Sequence, residues 1–324
     1  MGFKIVGTGS YLPERILTNY DLEKMVDTTD EWIRERTGIR ERRIAESRMA
    51  SSDLGVRAAR KALESAGISP EELDLIVTAT ITPDMFFPST ACFIQKKLGA
   101  RNAAALDIMA ACSGFIYGLI LVDGLFRSGN FERILLVATE TLSKITDWED
   151  RSTCVLLGDG AGACVMVKDS KERLLSYTIG ANGDYGHLLF IPGGGSRLPA
   201  TEETVKGKKH YLKMKGNELF KIAVKVLTES AIKVIEKAGI SPKDISLFFP
   251  HQANWRIMRA CAVRLGIPEE RIYVTVDRMG NTSAASIPTA LDEAVRKGRV
   301  KEGDLLLMDA FGGGLTWGAC VLRW

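Results

Sequence analysis

Three residues of this chain carry side chains suited to acyl-thioester chemistry, and each falls where a strand gives way to a loop or helix. Cys112, in the run ALDIMAACSGFIYGLILVDGLF from Ala105, sits between a short extended stretch and a long apolar helical one, Gly114 to Arg127. That helix is apolar nearly all round yet too short for a membrane span, which predicts a buried central helix. At its N-terminus, unpaired backbone N–H groups and the helix dipole favour a thiolate over a thiol. His251 emerges directly after the apolar run ending FFP, and Asn281 stands just before the helical segment that opens MGNTSAAS. Each residue also has a plainer reading: free cysteines mostly pack, a histidine can end a strand as a satisfied polar group, and asparagine caps helices. Together, a thiolate, an imidazole and an amide suit nucleophilic acyl transfer without a metal or organic cofactor.

The elements that must position these residues emerge from comparing the chain with itself. AGISPEELDLIV from Ala66 and AGISPKDISLFF from Ala238 share their start, their proline and an apolar run, 172 residues apart. Each follows a helical pattern, Asp53 to Ser65 and Glu218 to Lys237. A second match, GACV from Gly162 and from Gly318, is offset by only 156 residues. The first half therefore carries extra residues late on, and Thr141 to Leu157 is the candidate. Two similar α/β halves follow, residues 1–170 with Cys112 and residues 171–324 with His251 and Asn281, in which helices cover sheet faces. Strands are expected at Phe3–Thr8, Asp74–Thr80, Ala103–Ile108, Arg133–Ala138 and Ala161–Val167. Their second-half counterparts are expected at Leu175–Gly180, Ser246–Pro250, Ile272–Val276, Asp304–Asp309 and Trp317–Leu322. The duplication matches Cys112 to Ser283 or Ala284, so two equivalent loops should face each other at strand exits, where α/β folds build sites.

Composition excludes more than it assigns. The 324 residues, 46% hydrophobic and 26% charged with a net charge of +3, describe an ordinary globular protein. The start MGFKIVGTGSYLP has no secretory pattern and no segment reads as a membrane span, so a cytoplasmic protein with no membrane partner is expected. Six cysteines without a CxxC pair and three scattered histidines argue against a disulfide framework and a metal site. The basic stretches 34–43 and 206–215 read as solvated faces, and no nucleic-acid partner is expected. GTGSYL from Gly7 lacks the third glycine of a dinucleotide loop, and there is no GK[ST] motif. In FGGGLTWG from Phe311, glycines could bring backbone N–H groups close to a substrate, or simply make a tight hairpin.

DIMAACSGF around Cys112, HQANWR from His251, GNTSAAS from Gly280, DAFGGGLTWG from Asp309 and TTDEWIRERTGIRERR from Thr28 resemble β-ketoacyl-acyl carrier protein synthase III nearly end to end. The resemblance implies a thiolase-like fold of five alternating αβαβα layers, and a homodimer. It further implies transfer of an acyl group, often acetyl, from acyl-CoA to Cys112, followed by decarboxylative condensation with malonyl-acyl carrier protein. Under it, His251 and Asn281 aim donors at an enolate oxyanion, and the backbone N–H groups of Cys112 and Gly313 form a second oxyanion hole. Trp32 and Arg151 would sandwich the adenine of coenzyme A, with Thr28 and Arg36 near the nucleotide and Gly216, Asn217 and Phe220 along the pantetheine arm. Gln252, Ala253, Asn254, Trp255 and Arg256 would dock the carrier protein. Phe87, Leu142, Leu189 and Phe311 would shape the acyl pocket, Phe87 by entering a partner's. Related carrier-independent enzymes, such as type III polyketide or quinolone synthases, and a noncatalytic binding homologue remain alternatives. A thiolase would need a second cysteine near the C-terminal glycines; the nearest, Cys320, lies inside an expected strand.

Overall fold

Strands such as LIVTA (Leu75–Ala79) and RILLVATET (Arg133–Thr141) are buried at every position but Arg133, and largely apolar, because both of their faces are covered. Leu75, Val77 and Ala79 face one core with Ile134, Leu136 and Ala138, while Ile76, Leu135 and Val137 face another. The computed structural model describes residues 2–324. Its first sheet runs, edge to edge, Gly2–Tyr11, Asp159–Asp169, Arg133–Thr141, Leu75–Ala79 and Ala104–Ile108. The second sheet runs Leu174–Ala181, Thr316–Arg323, Leu305–Gly312 and Leu247–Pro250, the same order in the repeated halves.

The helices Gly114–Arg127 and Ser286–Arg296 lie between the sheets, and their residues join the inner faces of both in one core. Ser51–Ala66 and Thr90–Leu98 cover the outer face of the first sheet. Gly216–Lys237 and Trp255–Leu265 cover the outer face of the second. Helix, sheet, helix, sheet, helix is the five-layered architecture expected. No helix among the described residues is long and apolar enough to cross a membrane.

One expectation that holds and another that fails both bear on the site. The connection after Arg133–Thr141 takes until Asp159 to return as a strand, whereas its counterpart after Leu305–Gly312 returns at Thr316; residues 142–157 are the extra segment, and they wall the cleft. Ile272–Val276, expected as a strand, makes only an isolated bridge from Ile272 to Phe248. The Gln252 side chain stands in for the missing ladder. Its amide donates to the Tyr273 carbonyl (3.0 Å) and accepts from Thr275 N (2.8 Å) and Val276 N (3.1 Å), and the chain then turns into the short helix Val276–Met279.

Candidate active site

Cys112 lies in a single 3-10 turn, Ala111–Ser113, immediately before the central helix Gly114–Arg127. Ala111 holds a left-handed φ of 47°, and Ser283, at the matching place before the helix Ser286–Arg296, holds 49°. This repeated kink pairs Cys112 with Ala284 and resolves the ambiguity of the duplication at an offset of 172. Such a backbone is strained for a side chain bearing a Cβ and is found at sites that must present one residue sharply.

The Gly312–Gly313 turn closes over the same spot. A Cβ on Gly312 would lie 2.6 Å from the Cys112 backbone nitrogen, so only glycine permits this approach. Thr316 Oγ1, beyond the turn, lies 3.0 Å from the Ala110 carbonyl and 2.7 Å from Ser113 Oγ, tying the turn to the cysteine loop.

Cys112, His251, Asn281 and Gly313 all line one cleft of about 980 Å³ between the halves. His251 N is held by the Asp309 carbonyl (2.8 Å), and Nδ1 lies 2.7 Å from Ser286 Oγ, which leaves Nε2 as the open ring nitrogen. Burial pushes its pKa down to about 3, so the ring is neutral. Asn281 bonds through its backbone to Leu156 and Gly158, and its Oδ1 accepts from Ser283 N at 2.9 Å. The remaining Nδ2 is its free donor. Asn281 is not the helix N-cap of the plainer reading, a place that falls to Ala285; its bond from Ser283 N is what orients the amide.

Electrostatics depart from the expectation of a standing thiolate. Burial pushes the Cys112 thiol up to about 12, Glu140 adds to the shift, and the Ser283 hydroxyl offsets it only in part. Desolvation therefore opposes the helix end. Glu140, fully buried on the strand Arg133–Thr141, accepts from Thr82 Oγ1 (2.7 Å) and Thr80 Oγ1 (3.2 Å), and burial raises it to about 7. No motif in the sequence singles this residue out.

The substrate-contact expectations divide. Trp32, Arg36, Gly216, Asn217 and Phe220 line the cleft, as do Leu142, Leu189 and Phe311; Leu142 and Leu189 cluster there with Ile81, Leu157 and Leu212, whereas Phe311 packs on the side of Leu219 and Phe220. Thr28 and Arg151 are not part of the lining. The Arg151 guanidinium rests 4.9 Å from the Trp32 ring centre and donates to the Asp27 carbonyl at 2.8 Å. An aromatic ring between them needs about 7 Å, two stacking distances, so the pair as placed leaves no room for the expected adenine sandwich.

Ala253, Asn254 and Arg256 reach the cleft, Arg256 with its guanidinium 5.5 Å from the Phe220 ring centre. Gln252 does not belong to any docking surface: it is 0% exposed, and its side chain is spent on the Pro250–Val276 backbone. Trp255 turns away from the cleft and packs on Gly38, where an added Cβ would meet the Trp255 Cβ at 2.6 Å. Phe87 is 83% exposed and lies outside the cleft of its own chain, so it is not a core residue. In the basic stretch 206–215, Lys208 pairs with Asp147 and Glu149, and Lys213 with Asp147.

Two family models match the chain, 3-oxoacyl-[acyl-carrier-protein] synthase III over residues 106–183 and its C-terminal part over residues 235–324. The β-ketoacyl-[acyl-carrier-protein] synthase III of Caldanaerobacter subterraneus subsp. tengcongensis is 54% identical over 321 residues, 99% of this chain and 97% of its own length. The crystal structure of 3-oxoacyl-[acyl-carrier-protein] synthase III from Aquifex aeolicus superposes with a TM-score of 0.93 at 51% identity, covering 100% of both chains. That from Thermus thermophilus gives 0.92 at 46% identity, covering 99% of this chain and 98% of its own.

Proposed function

The chain belongs to the β-ketoacyl-acyl carrier protein synthase III family, condensing acyltransferases that initiate fatty acid synthesis, and from that premise we propose how its residues share the work. The Cys112 sulfur attacks the carbonyl of an acyl-CoA thioester, with acetyl as the primer. The acyl group passes to sulfur and the thiol proton ends on the departing CoA thiol. Malonyl-acyl carrier protein then loses carbon dioxide, and the electron pair of the broken bond becomes an enolate. Its carbon attacks the acyl-Cys112 carbonyl. The tetrahedral intermediate expels the cysteine sulfur, which takes up a proton, and 3-oxoacyl-acyl carrier protein leaves.

The observation that carries this reading is the convergence of Cys112, a neutral His251 and the free Nδ2 of Asn281 on one cleft. Decarboxylation needs donors where negative charge develops, and no strong base. His251 and Asn281 meet the enolate oxygen; the backbone N–H groups of Cys112 and Gly313 meet the oxyanion of the tetrahedral intermediate. Trp32, Arg36, Gly216, Asn217 and Phe220 line the path for coenzyme A, with Thr28 beside it and Arg151 closing on the adenine after moving. Ala253, Asn254 and Arg256 receive the carrier protein, whose acidic surface and phosphate suit a guanidinium. The enzyme works as a cytoplasmic homodimer and uses no cofactor beyond its thioester substrates.

Incubation with a panel of acyl-CoA primers, followed by peptide mass spectrometry, is expected to show the acyl adduct on Cys112. Adding malonyl-acyl carrier protein should release 3-oxoacyl product, and malonyl-CoA alone should not. Equal turnover with malonyl-CoA would assign a carrier-independent synthase, and no adduct with any primer would leave only a binding role.

A further inference from the structure

We infer that Ser286 is a positioning residue that holds the proton of His251 on Nε2, making the imidazole a fixed donor toward the cleft. The inference rests on the condensing reading above and adds a residue that it does not use. Ser286 is the first residue of the helix Ser286–Arg296 and is 1% exposed. Its hydroxyl has one hydrogen to give and lone pairs to accept with. The Gln252 backbone N–H donates to Oγ at 3.2 Å, and His251 Nδ1 lies 2.7 Å from the same oxygen. Among the described residues the hydroxyl hydrogen has no acceptor other than Nδ1. If Nδ1 carried the proton, that buried hydrogen would be left without a partner; with the proton on Nε2, Nδ1, the Ser286 hydroxyl and the Gln252 N–H are all satisfied and Nε2–H is free for the cleft. The second proton of an imidazolium would meet the same obstacle, and the ring is neutral by burial in any case.

The duplication supplies an independent comparison. At the offset of 172, Ser286 matches Gly114 and His251 matches Ala79. In the first half these two positions meet as bare hydrocarbon, a Cβ on Gly114 falling 3.0 Å from the Ala79 Cβ. In the second half the same contact is a hydrogen bond. The two partners differ from their counterparts together, at the place where the repeated scaffold brings helix start and strand exit into touch. Gln252 serves both ends of the device: its backbone N–H sets the Ser286 oxygen, and its side chain pins the segment that leads to Asn281. With Nε2–H and Asn281 Nδ2 both donating, the pair stabilises an enolate oxygen and cannot abstract a proton from carbon.

Nitrogen-15 NMR of histidine-labelled enzyme tests this directly, because the chain has three histidines and the His187→Gln and His210→Gln variants identify the other two signals. At neutral pH the His251 ring is expected to be neutral with the hydrogen on Nε2. Ser286→Asp offers Nδ1 only an acceptor, so the hydrogen should move to Nδ1. Malonyl decarboxylation should then fall toward the ~10⁴-fold loss that a wrong catalytic tautomer can cause, while acylation of Cys112 changes by no more than a few-fold. Ser286→Ala should give mixed tautomers and roughly a tenfold loss, and Ser286→Thr should restore both the Nε2–H signal and the rate. A hydrogen on Nδ1 in the wild type, an imidazolium, or a tautomer indifferent to Ser286→Asp would overturn the inference. Failure of the wild type to decarboxylate malonyl-acyl carrier protein would overturn the condensing reading instead, and the NMR result would still decide the role of Ser286.

Discussion

Burial pushes the Cys112 thiol up to about 12, which favours the protonated form at neutral pH, so under the proposed function its proton leaves in the course of acyl transfer. The sign of the resulting pH dependence is fixed. Burial raises the pKa, the thiolate fraction therefore grows by about tenfold for each unit of pH below it, and the rate of a reaction through thiolate grows likewise. Alkylation of Cys112 by iodoacetamide, followed on its own peptide so that exposed Cys92 does not intrude, should climb with that slope up to pH ~9 without levelling. A plateau near neutrality would show that the helix N-terminus outweighs desolvation after all. Asn281 allows an equally selective substitution. Asn281→Asp keeps the oxygen that accepts from Ser283 N and removes the Nδ2 donor, so the turn survives while the oxyanion loses a partner. Malonyl decarboxylation should drop on the order of 10²–10³-fold and acyl loading only slightly. Rate assays of the two half-reactions separate them, and a loss of loading alone would contradict the role given to Asn281.

The Gly7–Gly9 segment, rejected as a nucleotide loop, acts at the level of elements. Both glycines lie inside the strand Gly2–Tyr11 against the helix Ser51–Ala66, where a Cβ would fall 2.2 Å from the Ala62 carbonyl oxygen and 2.3 Å from that of Ala58. Backbone rests on backbone, so a methyl group has to push the helix off the sheet. Gly9→Ala should lower stability by ~1–3 kcal/mol in urea unfolding, with the folded fraction keeping its condensing activity. An unchanged urea midpoint would mean that the helix can shift freely. The surroundings of these elements show why so much of the fold was legible. AGISP, which begins at the end of that helix, and GACV, in the strand Asp159–Asp169 beside Gly2–Tyr11, both recur and announce two equivalent halves, and equivalence alone places Cys112 opposite the loop of Asn281. Ile272–Val276 misled because its β-branched residues fit a strand, whereas a side chain 20 residues earlier occupies its ladder. Gln252 itself was misread for a related reason. HQANWR looks like one surface segment, yet His251 and Gln252 are both buried where the chain leaves the strand, and only Arg256, on the helix Trp255–Leu265, is fully exposed. Ser286 left no sequence signal, since its importance lies in a contact with His251 across 35 residues.

At the scale of the whole molecule, the unburied side chains say what one chain lacks. Phe86 and Phe87 are 84% and 83% exposed, Met109 74%, and Met85 50%. They gather at one place because Leu75–Ala79 and Ala104–Ile108 run parallel, so the segments that follow them, one holding Met85–Phe87 and the other Met109, leave from the same end of the sheet. Ala104–Ile108 is moreover an edge strand, bonded on one side only, which a lone protein rarely leaves beside exposed aromatics. Met109 also lines the cleft of Cys112, which puts this apolar ground next to the acyl pocket. A two-fold dimer across it would bury Phe87 from each copy, so any loss at that residue counts twice. Burying a phenylalanine is worth ~1.5–3 kcal/mol, and two copies then weaken association by roughly 10²–10⁴-fold when the ring is removed. Light scattering should give twice the 35.5 kDa chain mass for the wild type at micromolar concentration, and Phe87→Glu, which also brings two like charges into the interface, should give the single mass. Because the copy-related Phe87 would close the acyl pocket, the monomeric variant should also lose its discrimination among primers. A dimer that survives Phe87→Glu with unchanged primer preference would place the subunit contact elsewhere and return Phe87 to the solvent.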